Sequence, residues 1–290
     1  MRSDFEGKNL LTLTYAELLR KMVSKITSSP TPMLDARQLI CLTSGLSHSE
    51  LIAQENEPFP AELYGALEGV VARRQAGEPM AYIRGSQEFY GRDFSVSPAV
   101  LIPRPETEML IDATLQLSPL PTSIVDLGTG SGCIIATLLA ALPDATGVGV
   151  DISEKALAVA QKNCDQLGVA DRVTLTCDDF ASPLKACFDL IVSNPPYVEE
   201  AAQLPICVAD YEPPLALFAG ADGLKAYRQL APVIERGLKK DGVALLEIGT
   251  GQGAAVQSLM EDAMPTRPVE IFKDLAGHDR LVRIGRCSHP

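Results

Sequence analysis

Four residues, Asn194-Pro195-Pro196-Tyr197, close the largely apolar run L-I-V-S at positions 190–193. Proline removes a ladder donor and fixes φ, so Pro195 and Pro196 stand outside any sheet and Asn194 falls at a strand end. The group suits a planar NH2, either an amide or the exocyclic amine of adenine. The nitrogen lone pair of such a group is delocalised, which makes it a poor nucleophile. Two acceptors, the Asn194 side-chain oxygen and the Pro195 carbonyl, can hold its two N–H groups. They aim the nitrogen and stabilise positive charge as it develops. The prolines stiffen the carbonyl, and Tyr197 offers a flat face for stacking. No general base is needed, because an N-alkylated amide cation is itself a very strong acid.

A second constellation lies upstream, V-D-L-G-T-G-S-G-C-I at 125–134. It reads as a strand, a glycine-rich turn and a helix start. Gly128, Gly130 and Gly132 allow close backbone approach to a ligand and φ values that side chains disfavour. Asp151 ends the following strand, 23 residues after Gly128, where a carboxylate can accept both hydroxyls of a ribose. These residues fit NAD and S-adenosylmethionine alike. The G-x-G-x-G spacing differs from the G-x-G-x-x-G of pyrophosphate turns. Asp178-Asp179 closes the third strand, either to hydrogen-bond an adenine amino group or as a solvated strand end.

The elements that must position these groups are legible from residue 123 onward. Expected strands are Ser123–Leu127, Gly147–Asp151, Arg172–Cys177, Phe188–Ser193 and Val243–Ile248. Expected helices are Cys133–Leu142, Glu154–Leu167, Gly223–Leu238 and Gly253–Met264. Two last strands, around Glu270–Phe272 and Arg280–Ile284, form a hairpin turning near Ala276-Gly277. This alternation predicts an α/β fold, a doubly wound, mostly parallel seven-stranded sheet with an antiparallel C-terminal hairpin.

Ahead of it, residues 1–85 read as an all-α bundle. Thr14 to Glu17 and Ser47 to Glu50 are capping boxes. Ser28 to Pro32 breaks the first helix, Met33–Leu42 resumes one, and Pro60 is expected at N1 of a helix reaching Gly77. Residues 86–104 form a hairpin linker, with its turn expected at Gly91-Arg92-Asp93. Pro105 then starts a helix through about Leu117, opening the last domain, 105–290.

Composition narrows the partners. The chain has 290 residues, 46% of them hydrophobic, and a net charge of −12. Both the first 88 residues and the remainder carry more acids than bases, without the basic stripe that nucleic acid calls for. The N-terminus M-R-S-D-F-E-G-K-N lacks a signal-peptide core, and no run of 18 apolar residues occurs. The expectations are a cytoplasmic protein that binds neither membrane nor nucleic acid directly. Seven cysteines form no C-x-x-C pair, and Cys41, Cys133, Cys164 and Cys177 sit in apolar or helical contexts as small buried hydrophobes. His48, His278 and His289 make no ligand spacing, and no metal site is expected.

Several segments together carry a resemblance. In order they are P-R-P-E-T-E (103–108), D-L-G-T-G-S-G (126–132), G-V-D-I-S (149–153), S-N-P-P-Y-V (193–198), Y-E-P-P-L-A-L (211–217), L-L-E-I-G (245–249) and D-L-A-G-H-D-R (274–280). With them the chain resembles the HemK-type (PrmC) family of peptide chain release factor N5-glutamine methyltransferases over nearly its whole length. The resemblance implies an enzyme of class I methyltransferase fold, Rossmann-like, with S-adenosyl-L-methionine as cofactor. The implied cofactor set is Asp126, Gly128, Thr129, Gly130, Ser131, Gly132, Asp151, Ile152, Asp178, Asp179 and Phe180, with Asn194 at the reactive end. Asn194, Pro195, Pro196 and Tyr197 would hold the Gln of a class 1 release factor's Gly-Gly-Gln loop, and Asn194, Pro195 and Tyr197 would do the catalytic work. The family often has an apolar or aromatic residue where Asp179 stands, which moves the adenine contact toward Phe180. Arg104 and Glu106 are expected to lock the linker over the site, and Glu212 either to order the substrate loop or to serve a purely structural role. The helical bundle is expected to dock the release factor, and the enzyme to act as a monomer. The main alternative, an adenine-N6 nucleic-acid methyltransferase, shares Asn-Pro-Pro-Tyr but calls for a basic, aromatic target-recognition surface. A nicotinamide-dependent oxidoreductase would leave Asn-Pro-Pro-Tyr unused.

Overall fold

The computed structural model describes residues 13–27 and 29–285; Ser28, Cys287, His289 and the N-terminal nine residues read above lie outside them. Two compact units divide the chain. One reaches to Arg84 and includes Ile206–Tyr211; the other comprises Gly85–Pro205 and the chain from Glu212 onward.

The helical unit holds α1 (Tyr15–Lys25), α2 (Pro32–Ser44), α3 (His48–Ala53), α4 (Tyr64–Gln75) and α5 (Met80–Arg84). Both expected capping boxes form, from Thr14 and Ser47, each worth about 1 kcal/mol. Pro60 is not at N1: it caps a 3-10 turn, Ala61–Leu63, that precedes α4. Leu18, Met22, Leu39, Ile40 and Leu67 form a water-free core. Arg74 and Asp35 pair within it at 2.6 Å, joining α4 to α2.

The larger unit opens with the hairpin β1 (Ser86–Phe89) and β2 (Arg92–Ser95). Its turn is Tyr90-Gly91, both at positive φ (51° and 70°), the two-residue loop whose twist suits a hairpin. Arg92 and Asp93, expected in the turn, instead pair with Phe89 and Glu88 in the ladder. After a 3-10 turn, Pro105–Thr107, come α6 (Glu108–Leu115), β3 (Ser123–Leu127), α7 (Cys133–Ala141), β4 (Thr146–Asp151), α8 (Glu154–Gln166), β5 (Val173–Cys177) and β6 (Phe188–Ser193). The short α9 (Ile206–Ala209) belongs to the helical unit; α10 (Lys225–Gly237), β7 (Leu238–Glu247), α11 (Gly253–Ala263), β8 (Val269–Lys273) and β9 (Asp279–Ile284) complete the sheet.

The seven strands run β5-β4-β3-β6-β7-β9-β8. β5 through β7 are parallel, and β9 and β8 add on antiparallel. Side chains alternate across the pleat. Ile124, Leu190, Val192 and Leu245 pack with α6 and α7 on one face, while Val125, Leu127, Ile191 and Leu246 pack with α10 and α11 on the other. The chain runs outward from β3 to β5 and then returns to β6 beside β3. That reversal opens a crevice at the carboxyl ends of β3 and β6, the place where such sheets bind ligands.

Among the described residues, no helix is long and apolar enough to cross a membrane, and no cluster of His, Cys, Asp and Glu is arranged to hold a metal ion. The described cysteines are unpaired. Cys133 and Cys164 are buried as expected, but Cys177 is exposed because it ends the edge strand β5.

Candidate active site

The turn after β3 is built by glycines with two different duties. Gly128, Gly130 and Gly132 have φ of 79°, 55° and 76°, a region that costs an L-residue roughly 1–2 kcal/mol. A methyl group added at Gly128 or Gly130 would meet no atom within 4 Å, whereas one at Gly132 would lie 3.0 Å from Ala160 Cβ. The first two therefore keep bare backbone open to a ligand, and the third lets α7 and α8 approach. The N–H groups of Gly128 and Thr129 donate to the Val150 carbonyl at 2.8 and 2.9 Å, fixing the turn to the end of β4.

Asp151 is aimed by the same backbone. Gly130 N–H donates to its Oδ2 and Ser153 N–H to its Oδ1, both at 2.9 Å. A carboxylate oxygen accepts about two hydrogen bonds, so each keeps one lone pair for a ligand hydroxyl. Asp126 lies beneath, fully buried, with the Thr129 hydroxyl donating to its Oδ2 at 2.7 Å. Burial pushes its carboxyl up to about 7, against that hydrogen bond.

Across the crevice, β6 ends at Ser193 and Asn194 turns its amide nitrogen away. Asn194 Nδ2 donates to Thr107 Oγ1 at 3.1 Å. Thr107 in turn donates to Glu247 Oε2 at 2.6 Å, and Tyr197 donates to Glu247 Oε1 at 3.4 Å. With its nitrogen committed, the Asn194 amide presents its oxygen as the remaining acceptor. The segment that follows is held from three sides: Gln252 donates to the Tyr197 carbonyl at 3.0 Å, Val198 N–H to Leu217, and Ala219 N–H to Val198. Burial raises the Tyr197 phenol above its ordinary range, and it stays neutral at physiological pH.

One pocket joins the two sides. Its walls include Val100, Pro103, Arg104, Thr107, Gly128–Ser131, Asp151, Ile152, Phe180, Asn194, Pro196 and Leu215. An open glycine backbone, a carboxylate with free lone pairs, an aromatic ring and a fixed amide acceptor fit a nucleoside cofactor beside a planar NH2 group. The release factor glutamine methyltransferase of Cereibacter sphaeroides is 42% identical over 271 residues, spanning 92% of this chain and 96% of its own length. That of Moorella thermoacetica is 41% identical, over 92% and 97% respectively. The chain belongs to this family. Residues 105–210 also match the Methyltransferase small domain, and residues 17–85 the PrmC N-terminal domain. Among solved structures, the hMettl16 catalytic domain in complex with an RNA hairpin shares the fold, with a TM-score of 0.53 at 12% identity over 77% of this chain and 79% of that one.

Within this family site, the residues singled out from sequence divide by position. Gly128, Thr129, Gly130, Ser131, Asp151, Ile152, Phe180, Asn194 and Pro196 line the pocket; Asp126, Gly132, Pro195 and Tyr197 are not among its walls. Asp178 and Asp179 are exposed and not among its walls; Asp178 Oδ1 accepts from the Ser182 hydroxyl and the Asp179 N–H, and Asp179 Oδ1 from the Ala181 N–H. Phe180 is thus the member of that trio with a face on the pocket.

Sequence reasoning missed two supports, and it expected a third residue, Glu212, at the substrate loop or in a structural role but not on Arg104. Thr107 and Glu247 sit in quoted segments, but their contact across 140 residues left no local signal. Glu212, buried, pairs with Arg104 at 2.5 Å and accepts the Ile102 N–H at 3.1 Å. It thereby clamps the linker that walls the pocket. Asn163 on α8 bonds both Ser95 backbone groups and the Ser131 carbonyl, joining the hairpin to the glycine turn.

Proposed function

We propose that the protein transfers a methyl group from S-adenosylmethionine to the side-chain amide nitrogen of the Gln in the Gly-Gly-Gln loop of a class 1 peptide chain release factor. One observation carries this reading beyond family membership. The Asn194 amide, with its nitrogen bound to Thr107, offers an acceptor oxygen in the same pocket as the open glycine turn. An acceptor suits a substrate N–H, as a glutamine amide has.

When bound, the cofactor would supply an electrophilic methyl on a sulfonium, whose C–S bond breaks as the methyl is transferred and leaves a neutral thioether. The backbone at Gly128 and Gly130, the carboxylate of Asp151 and the ring of Phe180 would hold it. Asn194 Oδ1 and the Pro195 carbonyl each accept one N–H of the substrate amide. They hold the nitrogen in line, where proximity and fixed dipoles lower the barrier. Tyr197 packs beneath the amide plane, neutral. As the C–N bond forms, positive charge grows on the nitrogen between the two acceptors. The substrate nitrogen then releases one proton to water, which balances the transfer without a protein base.

The helical unit serves as a second contact for the release factor outside its loop. A cytoplasmic location follows from a substrate that works in translation. The acidic balance of the chain disfavours direct nucleic-acid or anionic membrane binding. Mass spectrometry of a purified release factor, incubated with the protein and S-adenosylmethionine, tests the proposal. One added methyl on the Gln of Gly-Gly-Gln is expected. Transfer to adenine in nucleic acid, with an untouched release factor, would overturn it.

A further inference from the structure

We infer that Thr107 and Glu247 are positioning residues, a relay that sets which end of the Asn194 amide meets the substrate and how strongly that end accepts. The inference rests on the reading of Asn194 as the acceptor for the reacting amide.

An Asn side chain is nearly symmetric in shape, so packing alone orients it poorly. Reversing it would place two donors before a substrate N–H, the opposite of what the reaction needs. Here the donor end is committed. Thr107 Oγ1 accepts from Asn194 Nδ2, and its own proton is given to Glu247 Oε2 rather than turned toward Asn194. The order is therefore fixed by the last member, a carboxylate that can only accept when ionised. Thr107 is 2% exposed, as is Glu247, so water does not compete for these bonds. In a low dielectric, successive hydrogen bonds polarise one another. Negative charge at Glu247 draws the Thr107 proton, enriches its oxygen and pulls on the Asn194 N–H. Amide resonance passes that density to Oδ1, where positive charge approaches in the transition state.

Glu247 is a costly choice for a merely structural acceptor. Burial pushes its carboxyl up to about 7, opposed by its hydrogen bonds to Thr107 and Tyr197. The groups facing it are Glu106 from the 3-10 turn, Tyr197 from the loop after β6, Arg280 from β9, Tyr227 from α10 and Cys133 from α7. Glu106 raises the carboxyl further and Arg280 offsets it. Tyr227 donates to the Glu247 backbone carbonyl at 2.9 Å and holds the residue in place without touching its carboxylate. Protonation lets Glu247 donate to Thr107 and removes the demand that Thr107 donate outward. The relay then loses its direction as pH falls through the neutral range.

The test has one readout without substrate and one with it. In 15N-labelled free enzyme, the side-chain amide signal of Asn194, assigned by its loss in Asn194→Ala, should titrate near neutral pH. It should stop titrating in Glu247→Gln and in Thr107→Val. An Asn194 signal that shows no titration in the wild type, or that titrates unchanged in both variants, overturns the relay whatever the substrate proves to be. In turnover, Thr107→Val should lower kcat at least about tenfold, since it acts through an acceptor worth on the order of 10²–10³. KM for the release factor and the dissociation constant of S-adenosylmethionine should stay within about twofold, and Thr107→Ser should restore kcat. Equal loss in Thr107→Val and Thr107→Ser, or a kcat unaffected by either, would reduce Thr107 to packing. A wild type inactive on release factor would sink the functional reading alone, because the amide titration still decides the relay.

Discussion

At the residue scale, the site separates holding from reacting, and single substitutions should split accordingly. Asn194→Ala removes an acceptor whose value grows as charge develops. It should cost on the order of 10²–10³ in kcat while leaving the affinity for S-adenosylmethionine, measured by calorimetry, unchanged. Asp151→Ala should do the reverse, since its carboxylate is aimed by the Gly130 and Ser153 N–H groups at 2.9 Å. Losing two hydrogen bonds to a charged acceptor, about 1.5–3 kcal/mol each, should weaken the cofactor at least tenfold with kcat at saturation far less affected. Much of this was legible in sequence: proline logic put Asn194 at a strand end, and glycine logic put Gly128 and Gly130 under a ligand. Gly132 looked the same in sequence, yet Ala160 explains it. No rule of local pattern distinguishes a glycine kept bare for a ligand from one kept small for a helix.

At the element scale, apolar alternation located each strand of the sheet, because all but the edge strand β5, which is only half-buried, place buried side chains on a face. Its edges were less legible. β7 begins at Leu238, five residues before the expected Val243, since Leu238 pairs with Phe188 through an irregular stretch of polar residues, Lys239 to Asp241. The hairpin turn moved because Gly91-Arg92-Asp93 has turn composition, while Tyr90 accepts a left-handed φ that its type disfavours. Contacts that join elements left no periodic trace at all. Asn163 is the clearest case: one buried amide serves β2 and the glycine turn from the last turn of α8. Asn163→Leu would strand the Ser95 N–H, the Ser95 carbonyl and the Ser131 carbonyl. An unsatisfied buried group costs about 1–3 kcal/mol, so a loss of about 3 kcal/mol or more is expected in urea unfolding, with weaker cofactor binding. Stability within about 0.5 kcal/mol of wild type would mean that water replaces the amide.

At the scale of the whole molecule, the buried carboxylates make stability depend on pH in a direction that surface charge does not. Asp126 and Glu247 have folded values of about 7, above their ordinary 3.8 and 4.5. The native state therefore holds protons that the unfolded chain has released, and stability falls as pH rises from the ordinary carboxylate range through about 7. Asp189 acts oppositely. Lys239, Ser123 and Thr122 hold it well below the usual carboxylate range, so its contribution is present above the ordinary value and lost in acid. Thermal unfolding should peak in mildly acidic buffer and decline toward pH 8, and Asp126→Asn should flatten the decline. A melting temperature that rises steadily from pH 5 to 8 would contradict the burial cost assigned to both groups.

The division into two units carries the last expectation, that substrate affinity and chemistry reside in different parts of the chain. The described residues that line the pocket belong to the larger unit, and the helical unit is held together by its own core and its own buried ion pair. It nevertheless exposes Met33, Leu34 and Leu42 on α2 and Ile52 on α3. Single exposed apolar residues are ordinary, so their meaning depends on a partner large enough to reach them. If that partner is the body of the release factor, Leu34→Glu with Ile52→Glu should raise KM for the intact factor about tenfold, a loss of about 1.4 kcal/mol of binding. The same variant should methylate a short peptide carrying Gly-Gly-Gln with wild-type kcat and KM, because such a peptide reaches only the pocket. An unchanged KM for the intact factor would leave those side chains as plain surface, and would move the docking contact to another face of the helical unit or off it altogether.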